Sequence, residues 1–165
     1  MDRCLADLKA GREISTQGAL AEATFWERNL VQLRGRKSTK EVVASETIYT
    51  DASGVGWGAA VVERGKAQRV GLGELTAREQ GQSSTARELI AVLRALEKAD
   101  LEKKTVIMFS DNTGTVASMS GMMARAEYSI AVMKKIAIIL QGRELEILPI
   151  HCGREYGFIP LCDKM

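Results

Sequence analysis

Cysteine is scarce in this sequence, and its placement excludes more than it suggests. Cys4, Cys152 and Cys162 are the only three in 165 residues. They form an odd, unevenly spread set with no disulfide framework and none of the paired short spacings of a structural zinc site. A zinc site built from His151 and all three cysteines would require three separate segments to converge. Buried free thiols are the simpler reading, and they point to a reducing, intracellular setting, cytoplasmic or nuclear. Long apolar runs are missing too. The longest, YSIAVMKKIAIIL, is broken by Lys134 and Lys135 and falls short of the roughly 20 residues a spanning helix needs. The opening MDRCLADLKAGREIS carries charges where a secretory signal has its apolar region, so no membrane partner is expected. Nor does one sign of charge dominate. With 23 Lys plus Arg against 21 Asp plus Glu, any surface for nucleic acid must come from local clustering. The chain shows no internal repeats and no low-complexity segment.

What is present divides into two stretches, 1–41 and 42–165. The first holds an amphipathic piece, LAEATFWERNLVQLRG, in which Ala23, Trp26, Leu30 and Leu33 fall near helical spacing. A basic linker follows, with Arg34, Arg36, Lys37 and Lys40. From residue 42 the pattern turns to strands. VVASETIYTD, GWGAAVVE and QRVGLGEL lie close enough for antiparallel hairpins, the second turn being RGKA. SSTARELIAVLRALEKAD then predicts a helix with Leu89, Val92, Leu93 and Leu96 on one face. KKTVIMFSD is a continuous apolar run of strand length, which predicts a strand covered on both faces at the centre of the sheet. NTGTVASMSG and AEYSIAVMKKIAIILQG read as two helices, and LEILPIHC as a last strand. The order implies an α/β domain: a mixed five-stranded sheet, a three-strand antiparallel meander plus two further strands, flanked by helices.

The informative stretch is IYTDASGVGWGAAVVERG, where Asp51 stands alone among small residues. Gly54, Gly56 and Ala59 match G-x-G-x-x-A, but a dinucleotide fingerprint needs a helix opening at the glycines, and this stretch reads as a hairpin. Asp51 could simply start an Asx-turn. That reading leaves the other acids unexplained. Asp51 ends one strand, Asp111 ends another, and Glu88 lies in the first turn of the helix between them. If those strands are neighbours, three carboxylates meet at one edge of the sheet and repel one another by about 4 kcal/mol per pair at 4 Å for an effective dielectric near 20. Divalent cations relieve that repulsion, and magnesium prefers such hard oxygen ligands. Two ions can activate a water and stabilise the leaving oxygen in phosphodiester cleavage. The side-chain-free Gly54 and Gly56 would let a sugar-phosphate backbone approach. Each acid also has a structural role open to it: Glu88 in a capping box with Thr85, TARE, and Asp111 as a helix N-cap in DNTG.

YTDASGVGWGAAVV, TARELIAVLRALE and FSDNTGTVASM resemble, in this order, the ribonuclease H domain of retroelement reverse transcriptases, particularly the DIRS-like and gypsy-like groups. The resemblance covers residues 42–151. It implies a ribonuclease H-like fold and two-metal hydrolysis of the RNA strand of an RNA–DNA hybrid, with Mg2+, or Mn2+ as a substitute. It also implies a polymerase domain in the same polyprotein, joined through the FWERNLVQLRG segment. Carried over, the catalytic and metal-binding carboxylates are Asp51, Glu88 and Asp111. The fourth is Asp163, although the tail HCGREYGFIPLCDKM departs from the family pattern around that acid and is two residues longer. Candidate substrate contacts are Ser53, Gly54, Ser84, Asn112 and Thr113, with His151 either near the scissile phosphate or closing the last strand. A hybrid is read through its backbone and 2′-hydroxyls, so no base specificity is expected. The rival reading is an inert ribonuclease H-like module that binds nucleic acid or supports a polymerase. A third keeps the fold but cuts DNA, as in transposases, resolvases and integrases.

Overall fold

The computed structural model describes residues 46–153, residue 44, and residues 20, 21, 23–25, 27 and 28. The chain divides into two compact units, Met1–Glu41 and Val42–Met165. In the first, the described residues are helical, as the periodicity there predicts. Trp26, Leu30, Leu33 and the basic linker lie outside the described residues.

In the second unit the strands are β1 (Glu46–Ala52), β2 (Gly56–Glu63), β3 (Lys66–Glu74), β4 (Thr105–Ser110) and β5 (Glu146–His151). The helices are α1 (Ala77–Gln80), α2 (Ser84–Lys98), α3 (Thr113–Gly121) and α4 (Glu127–Gly142). One sheet holds all five strands in the order β3-β2-β1-β4-β5. The meander β1-β2-β3 is antiparallel, whereas β4 runs parallel to β1 and β5 parallel to β4. The β2–β3 connection is a two-residue turn in which Arg64 and Gly65 both take positive φ, 49° and 77°. That is the twist-matched hairpin geometry. Pro149 is tolerated because β5 is an edge strand.

One expectation is corrected by this order. The apolar run of β4 does not mark the middle of the sheet; β1 does. Along β4 burial alternates, with Val106, Met108 and Ser110 buried and Thr105, Ile107 and Phe109 half-buried. The run reads as continuous because its second face is also apolar: Phe109 stacks on Tyr49 of β1 at 5.3 Å between ring centroids and needs no full cover.

Helix α2 forms where its periodicity places it. Ser83 caps it by accepting from the Ala86 amide at 3.2 Å, and Leu89, Val92, Leu93 and Leu96 enter the core with Ile48, Val61, Val106 and Met108. On its far side α4 contributes Val132, Met133, Ile136 and Leu140. The two helices run side by side in the same direction. Arg78 of α1 stacks on Tyr128 at the start of α4, and Arg143, just past the end of α4, reaches the end of α2. There Arg143 donates to the Leu96 and Ala99 carbonyls at 2.7 Å each, two of the acceptors a helix end leaves without intrahelical partners. Trp57 lies flat against β3, where a Cβ on Gly73 or Gly71 would come within 3.0 or 3.1 Å of its ring.

Replacing Arg143 by Met keeps the stem and removes these two hydrogen bonds together with a longer one to the Glu97 carbonyl at 3.5 Å. We expect it to cost about 1.5–3 kcal/mol, as for hydrogen bonds from a charged donor, read as a fall in the urea midpoint with unchanged slope. A midpoint equal to the parent's contradicts this capping role.

Candidate metal centre

Parallel pairing of β1 with β4 brings the acids together. Tyr49 is level with Phe109, so Asp51, the last residue but one of β1, and Asp111, just past the end of β4, stand side by side at the carboxyl edge of the sheet. Helix α2 crosses above with Glu88 in its second turn. A carboxylate oxygen from each of Asp51, Glu88 and Asp111 lies within 4.8 Å of the other two. Asp51 and Glu88 are 6% and 4% exposed, and Asp111 is half-buried.

Neither the capping-box reading of Glu88 nor the N-cap reading of Asp111 holds. TARE occurs twice in the chain, at 76–79 and at 85–88, and the copies have different fates. The first is a true capping box: Thr76 Oγ1 accepts from the Glu79 amide, and Glu79 Oε2 accepts from the Thr76 amide at 2.7 Å. In the second, Ser83 has already taken the cap, so Thr85 is inside the helix and Glu88 cannot reach back to its start. Asp111 is likewise not a cap. Asn112 is, through an Oδ1 that accepts from the Thr115 amide at 2.9 Å.

The electrostatics of Glu88 suit a bound cation. The Ala52 amide donates to Asp51 Oδ1 at 3.0 Å and to Glu88 Oε1 at 3.1 Å. Glu88 Oε2 is buried without a hydrogen bond among the described residues. Burial pushes the Glu88 carboxyl up to about 8, the charges of Asp51 and Asp111 and a side-chain hydrogen bond with Asp51 add to the shift, and the Ala52 amide only partly opposes it. Other acids withdrawn from water have a basic partner. Buried Glu46, 3% exposed, is paired with Lys104, and half-buried Glu79 takes both oxygens' bonds from Arg94 at 2.8 Å. No basic group is among the influences on Glu88. An all-carboxylate donor set with an orphaned buried oxygen fits a hard divalent ion such as Mg2+ or Mn2+. Among the described residues these three acids are the one group of ligand-type side chains at metal-binding separation. Cys152 is a free, half-buried thiol raised above its ordinary value by burial and by the Asp111 charge. Cys4, Cys162 and Asp163 lie outside the described residues.

The other expected site residues gather at the same edge. Ser53 Oγ accepts from the Val55 and Gly56 amides at 3.2 and 2.9 Å, which folds the β1–β2 turn next to Asp51. A Cβ on Gly54 would meet nothing within 4 Å, so that backbone is open. Gly56 is not open: a Cβ there would lie 3.1 Å from the Gly73 carbonyl, so its small size serves the approach of β3. The glycines thus open a hairpin, as read from the sequence, and no helix follows them for a pyrophosphate. Ser84 is exposed at the start of α2 and Thr113 exposed at the start of α3. His151 Nε2 stands 3.2 Å from the Asp111 carbonyl, which accepts, so the proton is on that nitrogen.

Sequence reasoning missed one contact. Asn112 Oδ1 also accepts from Thr85 Oγ1 at 3.2 Å and Thr115 Oγ1 at 3.3 Å. With a backbone amide among its donors, the oxygen must face inward, which turns the NH2 group away from them. The signal was the glycine in DNTG: a Cβ on Gly114 would lie 2.6 Å from Thr85 Oγ1.

No family model and no curated protein matches the chain. Solved structures do. An LC11-RNase H1 isolated from compost is 23% identical with a TM-score of 0.53, covering 74% of this chain and 92% of its own. The N-terminal RNase H domain of a Mycobacterium tuberculosis protein is 14% identical with a TM-score of 0.58, over 74% and 90%. The prototype foamy virus protease–reverse transcriptase is 18% identical with a TM-score of 0.54; it covers 79% of this chain, which spans 21% of that longer protein. The architecture is therefore a ribonuclease H-like α/β fold, as the sequence motifs imply. Among the described residues no helix is long and apolar enough to cross a membrane.

The raised Glu88 carboxyl sets a pH dependence. Between the ordinary value of 4.5 and about 8 the folded chain holds a proton that the unfolded chain has released, so stability falls as pH rises through that window. Without metal we expect a loss on the order of a few kcal/mol from pH 5 to 8.5, since each tenfold difference in proton affinity between the two states is worth ~1.4 kcal/mol. It should be read from thermal midpoints in EDTA, flattened in Glu88→Gln and reversed by added Mn2+ at pH 8. An equal slope in Glu88→Gln would contradict the assignment.

Proposed function

We propose that this chain is a ribonuclease H-type phosphodiester hydrolase that cuts the RNA strand of RNA–DNA hybrids. The observation that carries the proposal is the buried carboxylate cluster, with its unpartnered Glu88 oxygen, at the exit of two parallel strands. Asp51, Glu88 and Asp111 would hold Mg2+, with Mn2+ as a substitute and Asp163 as a further ligand. Bound there, divalent ions supply charge neutralisation at the scissile phosphate and activation of water.

The chain's own residues do the rest. The acids would fix where the divalent ions sit, since bare carboxylates repel a phosphate, and the low-exposure pocket around Glu88 strengthens each electrostatic contact. The open backbone at Ser53 and Gly54, with the hydroxyls of Ser84 and Thr113, lies where a sugar-phosphate chain would run. The outward NH2 of Asn112 is a donor for a 2′-hydroxyl or a phosphate oxygen. His151 holds the Asp111 carbonyl and so closes β5 onto the exit of β4. Basic residues of the linker and Lys134 with Lys135 would add contacts outside the cleft, which makes binding salt-sensitive.

The motif resemblance to DIRS-like and gypsy-like elements supports placing this activity in reverse transcription. So does the likeness to a protease–reverse transcriptase. In that reading the stretch 1–41 is the connection to a polymerase domain and 42–165 the nuclease. The LC11-RNase H1 solved in complex with an RNA/DNA hybrid supports the substrate class. The alternative, an inert module, rests on the altered tail around Asp163.

A labelled hybrid incubated with the purified chain separates the two. We expect cleavage of the RNA strand in Mg2+ or Mn2+ and none in EDTA. Asp111→Asn should lose more than the ~10–100-fold that removal of an outer partner costs a metal site. A hybrid that binds but stays whole in both metals would establish the inert module instead.

A further inference from the structure

The link between α2 and α3 joins the acids themselves. Thr85 lies three residues before Glu88, on the same face of α2. Its Oγ1 donates to Asn112 Oδ1 at 3.2 Å, and Asn112 follows Asp111 directly. Asn112 Oδ1 is held in turn by the Thr115 amide and hydroxyl at 2.9 and 3.3 Å. Asn112 is also tied back to β4, its amide donating to Ser110 Oγ at 3.2 Å. Gly114 leaves the space Thr85 occupies, since any Cβ there would sit 2.6 Å from the hydroxyl and 3.1 Å from the methyl group.

We propose that Thr85 is a positioning residue that sets Glu88 of the helix against Asp111 of the strand, so that both can ligate one divalent ion. The proposal rests on the carboxylate cluster being a metal site. Three acids that repel one another would separate if their elements could slide, and α2 meets β4's exit at this hydrogen bond. Asn112 thereby does two tasks with its two ends: its oxygen locks the helices, and its NH2 remains available outside.

The test is Mn2+ affinity, followed by the electron paramagnetic resonance of free Mn2+ titrated with the whole chain, alongside the metal-free thermal midpoint. Thr85→Val keeps the shape and removes the donor, whereas Thr85→Ser keeps the donor. We expect Thr85→Val to weaken Mn2+ about tenfold, within the range for outer partners of metal ligands. Thr85→Ser should stay within about threefold of the parent, a rescue that loss of packing alone would not produce. Gly114→Ala leaves the hydroxyl but pushes it aside, and carries the test if Thr85→Val does not fold. Equal Mn2+ affinity in the folded variant and the parent overturns the positioning role while leaving the metal site standing. If the parent binds no Mn2+ and Asp111→Asn changes nothing, both readings fall.

Discussion

Glu88 is buried between two other acids, and much of the structure around it follows from making that tolerable. Helix α2 enters the core because Leu89, Val92, Leu93 and Leu96 drive it there. The same insertion carries Glu88 out of water and against Asp51. A carboxylate in that position either keeps its proton or acquires a cation. Glu46 shows what the fold does with a buried acid that has no further use, which is to give it a lysine. At Glu88 it supplies no base, only the Ala52 amide and the neighbouring acid Asp51, and leaves Oε2 without a hydrogen bond. The apolar side of α2 thus stores the repulsion that ion binding would release.

The sheet order makes this arrangement available. A βαβ unit with its crossover helix on one face puts the ends of β1 and β4 side by side and the start of α2 above them. This is the usual place for a site in an open sheet with parallel strands. Arg143 at the end of α2 and the Thr85–Asn112 contact at its start hold the helix at both ends. The paired helices α2 and α4, tied by Arg143 at the end of both, with α1 joined to α4 by Arg78 on Tyr128, give the acids a stiff support. Preorganisation of this kind is what a metal site needs from the protein, since ligands that must be gathered on binding lose affinity to ordering.

The strands and long helices were legible because their periods are clean: α2 has a narrow leucine face, and GWGAAVVE coincides with β2 residue for residue. The three acids were legible because each sits next to a boundary that periodicity could locate. The role of β4 was misplaced. Its two apolar faces are equally apolar in sequence, and only pairing tells an interior strand from the central one. The cap of α2 stayed open in the sequence, since SSTARE offers three hydroxyls in a row, of which the chain uses the first, Ser83. The four-residue α1 has no apolar period and no buried residue, so it left no hydrophobic trace. The Thr85–Asn112 contact joins residues 27 apart in sequence, and its only local mark is the glycine that makes room for it.

The most direct measurement is the anomalous difference density of a crystal of the whole chain soaked in Mn2+. We predict a peak coordinated by Asp51, Asp111 and the Glu88 oxygen that has no hydrogen bond here. Density elsewhere only, or an ion held by the two aspartates while Glu88 stays protonated on the Ala52 amide, would contradict this.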